Sequence, residues 1–252
     1  MTPQTVVSDT PEALAEQAAQ AFLTLVKHTL TERPRFTVAL SGGATPKMFY
    51  SRLTQEPYRS EIPWDKIWFF WGDERCVPPE HSESNFRMAK EALLEKVPVP
   101  SAHVFRIRGE DPPTETGRSY ARMLHDYFKM DGDWPAFDLI LLGMGADGHT
   151  ASLMPNTAAL DEERRWVVEN VVRTLQTVRV TITLPVINHA RNVWFLVTGA
   201  KKAGAYARVR TGPSPEFPAS LVQPQFGQLI WYIDKAVAGA SPPSPLPMGE
   251  GS

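Results

Sequence analysis

Short apolar runs alternate along the chain with stretches whose apolar residues return every three or four positions. Leu14, Ala18, Phe22, Leu25 and Val26 form such a stripe behind Thr10-Pro11-Glu12, which reads as N-cap, first helical residue and first-turn acid. A helix is predicted there. Phe36 to Leu40 is then a β-rich run stopped by Ser41-Gly42-Gly43, and Thr45-Pro46 reads as the N-cap and first residue of a helix holding Met48, Phe49 and Leu53. The same order returns at Ile67 to Trp71, which breaks into Gly72-Asp73-Glu74-Arg75 ahead of a helix predicted from about Ser84 to Leu94. Prolines 98, 100, 112 and 113 mark an irregular connection before Tyr120, Met123, Leu124, Tyr127 and Phe128 restore a helical stripe. Further strands are predicted in the run beginning at Phe137, at Val178 to Leu184, at Val193 to Val197 and at Leu229 to Ile233.

This alternation predicts an α/β fold, Rossmann-like, with a mostly parallel central sheet and helices on both faces, in a single domain over residues 1–237. Residues 238–252 are rich in Pro, Ser and Gly with too few apolar side chains to offset the entropy of ordering, so a disordered tail is predicted.

Composition narrows the function classes. The 252 residues are 42% hydrophobic, enough for a substantial core, and the formal charge of -2 comes without any basic tract, which argues against a nucleic-acid partner. A single cysteine, Cys76, excludes an intramolecular disulfide and a cysteine-based zinc site and suits a reducing, cytoplasmic setting. No signal-peptide pattern and no apolar run near the roughly 18 residues of a membrane span is present, so no membrane role is expected.

The chemistry gathers where predicted strands end. Parallel strands send their carboxyl ends to one edge of a sheet, where loops distant in sequence can meet. Ser41, Gly42, Gly43, Ala44 and Thr45 offer free backbone N–H groups, hydroxyls and a helix N-terminus to an oxyanion. By itself this segment reads more readily as an ordinary tight strand-to-helix turn than as a binding loop, and it matches neither G-x-x-x-x-G-K-[ST] nor G-x-G-x-x-G. Asp73 and Arg75 stand together as either a solvated ion-pair cluster or, at a strand end, a guanidinium clamp for phosphate. Lys201 falls in the first turn of a predicted helix, where a cation opposes the dipole unless an anion compensates. Gly143-Met144-Gly145-Ala146-Asp147-Gly148-His149 brings a charge and a proton acceptor to a glycine-rich turn. His28, His81, His103, His125 and His189 show no ligand spacing, so no metal is expected, and His149 fits proton transfer. No G-x-S-x-G elbow is present.

Taken in order, Leu40-Ser41-Gly42-Gly43-Ala44-Thr45-Pro46, Trp71-Gly72-Asp73-Glu74-Arg75, Ser84-Asn85, the segment from Gly143 to Leu153, Arg179-Val180-Thr181, Val197 to Ala203, and Pro218-Ala219-Ser220-Leu221 resemble the 6-phosphogluconolactonase family. The resemblance runs from about Phe36 to Asp234. It implies the fold type shared with glucosamine-6-phosphate deaminase and ribose-5-phosphate isomerase, a place in the oxidative pentose phosphate pathway, and no cofactor. Ala44 stands where a serine is common, and Met154-Pro155-Asn156 replaces the usual Phe-Pro-Gly. The implied reaction is hydrolysis of a sugar-phosphate lactone by a monomer or small homo-oligomer. Its 6-phosphate would dock on the Ser41 to Thr45 loop, Arg75 and Lys201, with Arg179 a further contributor, and His149 would activate water. Asp147 or Asp73 would orient the imidazole or the sugar hydroxyls. A sugar-phosphate isomerase or deaminase of the same fold is one alternative, although its acid five residues beyond the histidine corresponds here to Met154. A non-catalytic sugar-phosphate sensor is another.

Overall fold

In the computed structural model, which describes residues 3–128, 134–172 and 175–239, the strands are β1 (Gln4–Ser8), β2 (Phe36–Leu40), β3 (Ile67–Trp71), β4 (Asp73–Arg75), β5 (Val104–Phe105), β6 (Leu139–Leu142), β7 (Val167–Val172), β8 (Thr177–Ile182), β9 (Asn192–Val197) and β10 (Gln228–Asp234). The helices are α1 (Pro11–Glu32), α2 (Ala44–Leu53), α3 (Tyr58–Glu61), α4 (Asn85–Ala89), α5 (Pro113–Phe128), α6 (Leu184–Asn188), α7 (Ala203–Val209) and α8 (Lys235–Ala238). Thr10 caps α1 by accepting from the Ala13 N–H at 3.1 Å, with Pro11 opening the helix.

Seven strands form one sheet in the order β1-β10-β9-β6-β2-β3-β5, and every pairing in it is parallel. All residues of β2 and β6 are buried, which requires cover on both faces and explains why these strands read as continuous apolar runs without alternation. From β2 the chain proceeds outward to β3 and β5, returns as β6 on the other side of β2, and then proceeds through β9 to β10. The direction of winding therefore switches between β2 and β6, and a crevice opens beyond the carboxyl ends of strands at such a point.

A second, antiparallel sheet has the order β4-β8-β7. Gly72 joins the two sheets: its N–H donates to the Leu40 carbonyl at 2.9 Å and its carbonyl accepts from the Ile182 N–H at 2.8 Å. Helix α5 packs on β7 and β8. This sheet was not evident in the sequence beyond the strand at Val178, because Asp73–Arg75 is short and charged and Val167–Val172 is interrupted by Glu169 and Asn170.

Two boundaries differ from expectation, and the predicted helix from about Ser84 to Leu94 keeps its bounds with a change of helix type. Helix α2 begins at Ala44 with Gly43 at the N-cap, so Thr45 lies inside the first turn, and its hydroxyl bonds Thr198 Oγ1 at 2.8 Å instead of capping. Asn85 opens α4 behind the N-cap Ser84, and the segment continues past Ala89 as a π-turn over Lys90–Leu94. Strand β8 stops at Ile182, and Leu184 begins α6. Of the predicted tail, Ala238 ends α8 and Gly239 is its C-cap, while residues 240–252 lie outside the described residues.

Candidate active site

Four adjacent strands, β9, β6, β2 and β3, carry the chemistry at their carboxyl ends. Between them lies a cavity of about 330 Å³ lined by Ser41, Gly42, Gly43, Thr45, Asp73, Arg75, His149 and Arg179, among others. A larger cavity of about 1040 Å³ lies between α5 and the start of β7, and none of the candidate site residues lines it.

Ser41 leaves β2 with its N–H on the Tyr50 hydroxyl and its carbonyl accepting from the same hydroxyl, both at 2.9 Å. Gly43 follows at φ 105°, a conformation that favours glycine, and turns the chain into α2 with the helix's first N–H groups at the cavity. Gly42 has no room for a side chain: a Cβ there would overlap the Asn85 carboxamide.

Arg75 and Arg179 are direct partners in the register of β4 and β8, an arrangement that is unfavourable for two like charges. Arg75 Nη1 donates to the Glu83 carbonyl, but the Nε atoms of both arginines are buried without a hydrogen-bond partner. Burial, followed by the Arg75 charge, pulls the Arg179 guanidinium below its ordinary pKa. Both arginines line the cavity, and paired guanidiniums at a cavity wall suit a phosphate. Beside them the buried Glu74 carboxylate accepts from the N–H groups of Arg75, Asn85 and Phe86 at 2.7 to 2.8 Å, which anchors the start of α4, although burial raises its pKa.

His149 follows β6 in a turn closed by Gly145 N–H to the His149 carbonyl at 2.9 Å. Its Nδ1 lies 2.6 Å from Asp147 Oδ1, and a Cβ at Gly145 would overlap both side chains. The hydrogen bond to His149 brings the Asp147 carboxyl down to about 2, so the carboxylate is the acceptor and Nδ1 carries the proton. In that tautomer the other ring nitrogen, Nε2, is the one free to accept a hydrogen bond. Asp147 itself does not line the cavity, and it holds the imidazole from behind.

Asp73 is buried, with Oδ2 accepting from Ser152 Oγ at 2.6 Å and Oδ1 accepting from Asn85 Nδ2 at 3.2 Å. Of the two candidate orienting acids, Asp147 is the one bonded to the imidazole.

Lys201 is not brought to the site. It is exposed, and Lys202 lines the cavity in its place. Gly199, at φ 94°, enters a 3-10 turn over Ala200–Lys202 before α7 begins, so the phase of the following helix does not extend back to these lysines. A one-residue step in a 3-10 turn is about 120°, enough to exchange which lysine faces inward. Asn85, Ser152 and Thr198 were not singled out as functional. All three lie in segments that carry the family resemblance, but nothing in residue type or spacing marked them individually.

Among the described residues no group of three or more His, Cys, Asp or Glu side chains could hold a metal ion, and no helix is long and apolar enough to cross a membrane.

The family described as Glucosamine-6-phosphate isomerases/6-phosphogluconolactonase matches residues 9–231. The chain is 41% identical over 239 residues to a 6-phosphogluconolactonase of a Synechocystis species, covering 93% of this chain and 97% of that one. It is 40% identical over 233 residues to the corresponding protein of a Nostoc species, covering 90% of this chain and 93% of that one. Among solved structures, the 6-phosphogluconolactonase of Trypanosoma brucei superposes with a TM-score of 0.84 at 28% identity, covering 94% of this chain and 98% of that one. A monomeric glucosamine-6-phosphate deaminase shares the fold, with a TM-score of 0.78 at 21% identity and coverage of 94% and 99%.

Proposed function

Because the chain belongs to the glucosamine-6-phosphate isomerase/6-phosphogluconolactonase family, we infer that it hydrolyses 6-phospho-D-glucono-1,5-lactone to 6-phospho-D-gluconate in the oxidative pentose phosphate pathway. It is a lactone hydrolase. The observation that carries the mechanism is the pairing of a base with an anion site in one cavity: the Asp147-bound imidazole of His149 faces the same space as the guanidiniums of Arg75 and Arg179.

In this reading the 6-phosphate docks on Arg75 and Arg179, with Lys202 and the N–H groups of the Gly42 to Thr45 turn completing the cationic wall. The lactone ring is thereby held against His149. Nε2 takes a proton from water as the water oxygen attacks C1, forming a tetrahedral intermediate. Its collapse breaks the bond between C1 and the ring oxygen, and His149 returns the proton to that oxygen, which leaves as the C5 hydroxyl. Asp147 holds the tautomer and stabilises the transient imidazolium, as a carboxylate does behind a catalytic histidine. Backbone N–H groups of the two glycine turns are the candidate oxyanion donors. The isomerase or deaminase reading is not favoured, because the buried, apolar Met154 offers no acid for proton transfer. Cytoplasmic action, as a monomer or small homo-oligomer, is part of the same proposal, supported by the single cysteine Cys76.

The test is the initial rate of acid release from freshly generated lactone, with buffer alone as the reference for spontaneous opening. Wild type should exceed buffer, and His149→Ala should lower turnover about 10²-fold or more with little loss of phosphate affinity. Near-normal turnover of that variant would remove His149 from the mechanism, and a wild-type rate equal to buffer would sink the lactonase reading.

A further inference from the structure

The antiparallel sheet holds more than two arginines. Asp73, Ser152 and Asn85 are 5%, 0% and 2% exposed, and they form one hydrogen-bonded chain. Ser152 Oγ donates to Asp73 Oδ2 at 2.6 Å, while Asn85 Nδ2 donates to Asp73 Oδ1 at 3.2 Å and to the Asp73 carbonyl at 2.9 Å.

Each end of the chain reaches a different loop of the site. Ser152 stands three residues beyond His149, and it is fixed from two further directions. Its carbonyl accepts from Asn170 Nδ2 of β7 at 2.7 Å, and its N–H donates to Thr181 Oγ1 of β8 at 3.4 Å. At the other end the Asn85 carboxamide fills the space against Gly42, the turn that presents α2 to the cavity. Of the strands holding Ser152, β8 pairs with the strand that carries Arg75 and itself carries Arg179, and β7 pairs with β8. One buried carboxylate thus ties the histidine loop and the glycine loop to the sheet that carries the arginine pair.

We propose that Asp73, Ser152 and Asn85 are a positioning network that sets the separation between the anion site and the His149 imidazole, with Asp73 acting through Ser152 and Asn85. The proposal rests on the lactonase reading for its kinetic test. A carboxylate required only for folding would affect all properties together. A positioning network predicts a selective loss, because a substrate anchored correctly by its phosphate meets a displaced base.

Ser152→Ala removes one hydroxyl from the network and touches neither arginine, α2 nor Asp147. It should lower kcat about 10- to 100-fold while leaving KM and the Kd for inorganic phosphate within about twofold. Asp73→Asn combined with Ser152→Ala should be no slower than the slower single variant, since both break one chain. Full kcat in Ser152→Ala, or parallel deterioration of kcat, KM and melting temperature, overturns the proposal. A second readout is independent of turnover: the NMR signals of the His149 ring should respond to inorganic phosphate in wild type and lose that response in Ser152→Ala. An unresponsive wild type, or an equal response in the variant, also overturns it. If wild type shows no turnover above buffer, the lactonase reading fails alone and the NMR comparison decides the network.

Discussion

Lys201 and Lys202 show what a residue identity conveys by itself. The sequence located a cation just after β9, but which lysine faces inward depends on the positive φ of Gly199 and the 3-10 turn behind it. The glycine permits that φ, but residue type alone does not say which of two successive lysines the turn directs inward. Lys202→Ala should therefore raise KM about tenfold, consistent with roughly 1.4 kcal/mol of lost phosphate binding, whereas Lys201→Ala should stay within about twofold. Steady-state kinetics on the two variants separates them, and the reverse result would return the phosphate contact to Lys201. Asp147 and His149 were legible because both stand in one glycine-rich turn, and the structure adds the 2.6 Å contact between them. The folded pKa of Asp147, about 2, lies below the ordinary aspartate value, so its stabilising contribution is complete above that ordinary value and is lost as pH falls toward 2. The side chain is 54% exposed, so solvent screening keeps this contribution small. The gap in denaturation midpoint between wild type and Asp147→Asn should narrow as the pH is lowered through that window. A gap that widens would contradict the assigned direction.

Strands buried on both faces announce themselves, and strands that carry function do not. Phe36–Leu40 and Ile67–Trp71 match the sequence reading residue for residue because nothing but burial selects their side chains. Asp73–Arg75 is a strand through its pairing with β8, and that pairing places Arg75 opposite Arg179. No local pattern encodes such a long-range register, and propensity argues against it, since like charges opposite one another are unfavourable. The pair is a local cost retained where it would meet an anion. Replacing one member with an apolar side chain of similar length should thus have opposite effects on stability and function. Arg179→Met is expected to leave stability unchanged or raise it by roughly 0.2–1 kcal/mol through relief of the repulsion, while KM rises about tenfold or more. Chemical denaturation and kinetics on the same preparation test both halves. Destabilisation with unchanged KM would show that Arg179 is structural.

At the scale of the whole molecule, the parallel sheet and the antiparallel sheet are joined at Gly72, and the cavity draws lining residues from both. The α/β class was readable from alternation alone, but the second sheet's role was not, because its strands gain their meaning only by holding groups that β2, β3 and β6 deliver. If residues 1–237 are one folding unit, as the sequence suggests, an anion that bridges the two sheets should stabilise all of it at once. Unfolding followed by tryptophan fluorescence and by far-ultraviolet circular dichroism should give one coincident transition, since tryptophans 64, 71 and 231 are buried in the main sheet's core and Trp166 adjoins β7. Inorganic phosphate at about a hundred times its Kd should add roughly 2.7 kcal/mol and raise the midpoint by about 5–10 °C in both signals. Arg179→Met, with affinity lowered about tenfold, should remove about half of that gain at the same phosphate concentration. A phosphate shift seen by one probe and not the other would mean that the sheets unfold separately, and the positioning of a base by one against an anion held by the other would then have no rigid frame.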